Sequence, residues 1–125
     1  MKKLIYLLIF IPLLVACKKN ELGGKSTIKG KVAHHGKGIA NATVYIKFDA
    51  EDFPGSDVSK YDAKVSADIS GSYEIAKIYK GKYYLYAVGE DFSLTPPNNV
   101  VVGGIPVKVR QNEDLVADIP VTEGD

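Results

Sequence analysis

After residue 26, apolar and polar residues alternate with a period of two along most of the chain, and short polar runs interrupt the alternation. Successive side chains of a strand point to opposite faces, so this period marks strands with one buried face. Thr27 to Ala33 reads as a first strand, with Ile28 and Val32 set among lysines. Ala42 to Phe48 alternates cleanly: Ala42, Val44, Ile46 and Phe48 share one face, and Thr43, Tyr45 and Lys47 the other. Tyr61 to Ala67 is weaker and turns Ala63, Val65 and Ala67 inward. Ser72 to Ile78 does the same with Tyr73 and Ile75. Lys82 to Val88 places Tyr83, Leu85 and Ala87 on the core face and Tyr84, Tyr86 and Val88 on the opposite one. Val100 to Val102 fits a short strand or a sheet edge, and Ile105 to Arg110 with Leu115 to Val121 predicts a hairpin across QNED.

Turn chemistry separates these runs. HHGKG and DAEDFPGSDVSK read as loops, the second broken by Pro54 and Gly55. DISGS reads as a turn whose Gly71 supplies a positive φ, and YKGK as another. Nothing in the body has helical periodicity. Short strands at this spacing, about seven in number, predict an all-β fold, a seven-stranded antiparallel β-sandwich.

The first residues follow a different pattern. Lys2 and Lys3 precede an apolar run from Leu4 to Val15, interrupted only by Pro12. A run of about a dozen residues is too short for a membrane-spanning helix, which needs roughly 20. It fits the apolar core of an export signal. Leu14-Val15-Ala16-Cys17 resembles the bacterial lipobox, in which the chain is cut before a cysteine that then carries lipid. The resemblance implies a signal peptide over 1–16, a lipidated Cys17 with a flexible polar tether over 17–25, and a sandwich domain over 26–125. Buried methylenes contribute about 0.8 kcal/mol each, so several acyl chains hold a protein on a membrane durably. An aspartate after the cysteine would resemble the inner-membrane retention mark of bacterial sorting systems; Lys18 stands there instead, and the resemblance therefore implies the outer membrane. The following KKNE carries a single acid, Glu21, and does not separate the periplasmic face from the cell surface.

Composition narrows the class further. Cys17 is the sole cysteine of the 125 residues, so no disulfide staples the fold. Sixteen basic residues face fifteen acidic ones, with no basic stripe to favour nucleic acid. There is no Trp but there are eight Tyr.

In order, the chain contains G-K-V, G-I-A-N-A-T-V-Y-I, D-I-S-G-S-Y-E-I and K-G-K-Y-Y-L-Y-A-V-G. This succession resembles the carboxypeptidase regulatory-like domains, which are related to transthyretin and to the Cna B-type repeats. It covers Ser26 to Val121. The resemblance implies a transthyretin-like sandwich and says little of function, because the module accompanies peptidase domains, transporters and surface fibres in its relatives.

Candidate chemistry is sparse. His34 and His35 are the only histidines, and two adjacent rings on a loop supply too few ligands for zinc, so no metal and no cofactor is expected. The acids Asp49, Glu51, Asp52, Asp57 and Asp62 do not follow the EF-hand spacing. No serine has an identifiable base and no phosphate-cradling loop is present, so no enzyme is expected. Gly23-Gly24 and Gly103-Gly104 read as turns at most.

The tyrosines are the better lead. If the second and fifth strands are neighbours, Tyr45, Tyr84 and Tyr86 form a flat, exposed aromatic patch. Sugars stack on such surfaces and proteins dock on them. The leading expectation is therefore a lipid-anchored, non-enzymatic binding module for a protein partner such as a transporter or surface fibre. The alternative is a carbohydrate-binding accessory lipoprotein that uses the tyrosines.

Overall fold

The computed structural model describes residues 22–123. The expected signal segment and Cys17 lie outside these residues. Two sheets face each other across one core. The first contains β1 (Leu22–His34), β2 (Lys37–Gly38), β5 (Ser72–Ile78), β8 (Asp114–Val116) and β9 (Ile119–Pro120). The second contains β3 (Thr43–Phe48), β4 (Ala63–Ser66), β6 (Gly81–Glu90), β7 (Val100–Val109) and β10 (Thr122–Glu123), in the order β10-β7-β6-β3-β4. A single turn of 3-10 helix spans Val58–Lys60. The protein is all-β, with two packed layers as the alternation predicts.

The core follows the expected inward faces. Ile28, Val32, Tyr73 and Ile75 from the first sheet meet Val44, Ile46, Tyr83 and Leu85 from the second, all essentially inaccessible to solvent. Phe48, Ala63 and Val65 pack against this cluster from its margin. The predicted DISGS turn forms as well. The Asp68 carboxylate accepts from the backbone N–H groups of Ser70 and Ser72 and from the Ser70 hydroxyl, and Gly71 has φ +89°.

Three expectations give way. Residues 22–25, expected in a flexible tether, belong to β1, which begins at Leu22 and pairs Leu22 with Ile78 across a register shift. Gly103 and Gly104 lie inside β7 rather than in a turn, so Val100 to Val109 is one strand paired throughout with β6. The predicted hairpin across QNED is absent. After β7 the chain leaves the second sheet, and β8 and β9 run parallel to β1, while β10 returns to pair with Val101 and Val102. Both sheet faces read as period two, so the alternation marks a strand without naming its neighbour. The first sheet is consequently mixed rather than purely antiparallel.

Ser26 stabilises this crossover. It is buried in β1, donates to the Arg110 carbonyl oxygen (2.6 Å) and accepts from the Glu113 N–H (2.9 Å). The turn that carries the chain from one sheet to the other is thereby fastened to the first strand.

Candidate functional site

The outer face of the second sheet carries the aromatic residues. β3 and β6 are neighbours, as the tyrosine argument requires, with Tyr45 opposite Tyr86 and Lys47 opposite Tyr84. On the far side of β6, Tyr86 faces Gly104 and Tyr84 faces Pro106 of β7. A Cβ placed on Gly104 would lie 2.6 Å from Tyr84 Cε1 and 2.7 Å from the Leu85 carbonyl oxygen, so the missing side chain makes room for the Tyr84 ring.

The patch is not flat and exposed. Tyr84 and Tyr86 retain only 9% and 5% of their accessible surface, and Tyr45 is half-buried. Their cover is the 49–62 loop, which the sequence marks only as polar. It folds back across the strands and lays Phe53 on Tyr84 and Tyr86, with ring centroids 5.9 and 5.4 Å apart. Tyr61 packs on the other side, 5.9 Å from Tyr45 and 5.7 Å from Tyr86. β6 is therefore buried on both faces from Tyr83 to Ala87.

Local bonds hold this loop in place. The Tyr61 hydroxyl donates to the Gly55 carbonyl (2.9 Å), the Asp57 side chain caps the 3-10 turn through Ser59, and Lys82 pairs with Glu51 (3.0 Å). Asp62 accepts from the Phe48 N–H and lies 3.5 Å from Lys47 Nζ. Glu51, Asp57 and Asp62 thus make separate contacts rather than gathering around one point.

A groove of about 700 Å³ opens beside the loop. Its walls are Phe53, Ser56, Tyr84, Tyr86, Val100 and Val102, and its floor is the Gly103-Gly104 backbone. Phe53 and Val100 are exposed at its rim. Among the described residues, the Tyr84 and Tyr86 hydroxyls have no protein hydrogen-bond partner, and neither oxygen is sealed from solvent. Burial raises both phenols above their ordinary pKa. Tyr61 is pushed up to about 12 by burial first and then by the neighbouring Tyr86 and Tyr84. All three are neutral near pH 7. The groove lining contains no charged side chain.

Val100 to Val102, which the sequence offers as a short strand or a sheet edge, is not a free edge for a partner strand, since Val101 and Val102 pair with β10. Beyond β10, β7 carries Pro106, which has no N–H to offer, and Lys108, two features that discourage edge pairing.

The histidines are a second departure from expectation. His34 is not on a solvated loop but at the end of β1, 4% exposed. Its Nδ1 lies 2.9 Å from Asp91 Oδ2 and its Nε2 3.3 Å from Glu123 Oε1. Asp91, itself buried, also accepts from Lys37 Nζ (2.6 Å), from the Ser93 hydroxyl (2.6 Å) and from the Ser93 N–H (3.0 Å). Lys37 foremost, then Ser93 and His34, hold the Asp91 carboxyl well below the usual carboxylate range. The Asp91 hydrogen bond raises the His34 imidazole, against the opposing effect of burial, and Glu123 adds to the rise. Asp91 and Glu123 are far from His34 in the chain, and no spacing rule in the sequence joins them.

No family model matches the chain, and no curated protein matches it. Solved structures do resemble it. A crystal structure from Pseudomonas aeruginosa, of a protein provisionally described as carbohydrate-binding, superposes with a TM-score of 0.55 at 12% identity. The match covers 84% of this chain and 92% of that one. A protein from Bacteroides uniformis with the same provisional description has a TM-score of 0.47 at 17% identity, over 79% of this chain and 42% of that one. The first likeness establishes a shared all-β fold.

Proposed function

We propose that this chain is a carbohydrate-binding β-sandwich, tethered to the bacterial envelope through Cys17, that takes a neutral saccharide in the groove beside Phe53. The observation that carries the reading is the pairing of an exposed aromatic ring with two unpartnered phenol hydroxyls on one groove wall. A pyranose has an apolar face of C–H groups and a rim of hydroxyls. The Phe53 ring offers the first a stacking surface, and Tyr84 and Tyr86 offer the second donors and acceptors already in place. The uncharged lining favours a neutral sugar over an acidic one. The provisional description of the Pseudomonas aeruginosa neighbour supports the same reading. On this proposal the body is a carboxypeptidase regulatory-like sandwich, as its motifs suggest, and its role is to hold a glycan at the outer membrane without cleaving it.

The test is a glycan array followed by calorimetry on the best hits. Phe53 is 53% exposed, so Phe53→Ala leaves the fold intact while removing the stacking surface. At least a tenfold loss of saccharide affinity is expected, with a cooperative unfolding transition retained and its midpoint lowered only by the lost contacts with Tyr84 and Tyr86. Equal binding by the variant, or no saccharide bound by the native chain, overturns the reading.

A further inference from the structure

His34, His35 and Glu123 each offer one ligand atom, and these atoms lie within 4.8 Å of one another. We propose that they form a binding site for a divalent cation of the zinc class, with Asp91 orienting His34 from behind. This site lies apart from the aromatic groove and goes beyond the carbohydrate reading.

The geometry begins in the backbone. His34 to Lys37 is a two-residue hairpin turn, with His35 at φ +52° and Gly36 at φ +81°. Positive φ at both central positions is the type I′ pattern, which usually takes Asn or Asp before the glycine. Adjacent residues on a strand point to opposite faces, but here the turn brings the His35 ring to 4.2 Å from that of His34. β10 then brings Glu123 to the same spot by pairing with Val101 on the second sheet.

The donors suit zinc. Asp91 accepts at His34 Nδ1, so Nε2 is the nitrogen that takes the metal, which displaces the proton Nε2 shares with Glu123. A carboxylate behind a ligating imidazole is the arrangement that fixes its tautomer and ring orientation. Two donors, each about 2.0–2.1 Å from a tetrahedral zinc, stand roughly 3.3–3.4 Å apart. The His34 Nε2 to Glu123 Oε1 separation is 3.3 Å. His35 is exposed and its ligand atom lies within 4.8 Å of the other two, which places it to supply the third contact. A groove lined by His35, Gly36, Pro120 and Thr122 adjoins the site and leaves the fourth position open to water or a ligand.

The experiment uses the full chain purified without a polyhistidine tag, titrated with zinc against a chromophoric chelator and with cobalt followed by its visible d–d absorption. One equivalent of metal and a tetrahedral cobalt spectrum are expected. His35→Ala and Glu123→Gln, both at exposed positions, should each weaken binding at least tenfold without changing the metal-free melting temperature. Asp91→Asn should weaken it by about 10- to 100-fold at the same stoichiometry. Cys17→Ser serves as a control and should bind like the native chain. No metal uptake, or native affinity in both His35→Ala and Glu123→Gln, overturns the proposal.

Discussion

Tyr61 is stacked on Tyr86, with ring centroids 5.7 Å apart and planes 19° from parallel. One ring belongs to the loop and the other to the sheet, so this contact fastens the cover of the aromatic face. Tyr61→Ala should destabilise the fold by about 2 kcal/mol, below the usual cost for a fully buried aromatic because Tyr61 is half-buried. Tyr61→Phe keeps the stack and loses only the bond to the Gly55 carbonyl, for about 1 kcal/mol. Urea titrations of the two variants check the ranking.

The same phenol predicts an alkaline limb. Its folded pKa of about 12 lies above the value of ~10 for a free tyrosine. A raised pKa on a neutral acid means that the folded state favours the protonated form. The Tyr61 contribution to stability is therefore complete below pH ~10 and is lost as pH rises through 12. Tyr61→Phe should flatten the fall in urea midpoint between those limits. An equally steep fall in the variant would assign the limb to other groups.

Gly104 leaves the space that the Tyr84 ring occupies. A methyl group at Gly104 meets the ring on one side and the Leu85 carbonyl on the other, and the backbone oxygen cannot step aside. Gly104→Ala should cost about 1–3 kcal/mol, in the range of overpacking. It should also lower saccharide affinity by displacing the Tyr84 hydroxyl. Chemical denaturation and calorimetry on the same sample separate the two effects.

Asp68 predicts an acid limb. The Ser70 hydroxyl first, then the N–H groups of Ser72 and Ser70, hold its carboxyl below the ordinary value. A depressed folded pKa contributes stability that is present above the unfolded value, ~3.9, and is lost as pH falls through the folded one. Asp68→Asn should therefore lower the urea midpoint at pH 7, and the gap to the native chain should narrow below about pH 4. A gap independent of pH would show that the turn does not depend on the charge.

The membrane tether of the proposal rests on Cys17. Intact-mass analysis of the native protein from bacterial membranes should find the chain beginning at Cys17 with added acyl mass, and Cys17→Ser should leave the membrane fraction. An unmodified thiol in membrane-derived protein would remove the tether from the proposal.

Much of the fold was legible because burial on one face imposes a period of two. The inward sets of β3, β5 and β6 follow directly from it, and the Asp68 turn follows from the local chemistry of DISGS. Partnership between strands was not legible. β8 and β9 alternate much as an antiparallel hairpin would, yet they lie parallel to β1 on the opposite layer. Gly103 and Gly104 looked like a turn because their role is close approach, to the Pro120 carbonyl and to the Tyr84 ring.

The sequence by itself determined the strand faces, the choice of Tyr45, Tyr84 and Tyr86 as the outward aromatics, and the resemblance of its first residues to a lipobox. These are local properties, written in residues within a few positions of each other. Only the tertiary structure decided that Phe53 and Tyr61 cover the tyrosines and turn a flat patch into a groove. It also decided that Asp91 and Glu123 converge on His34. Both arrangements join residues whose separation along the chain carries no period, so the closing of the two sheets brings them together.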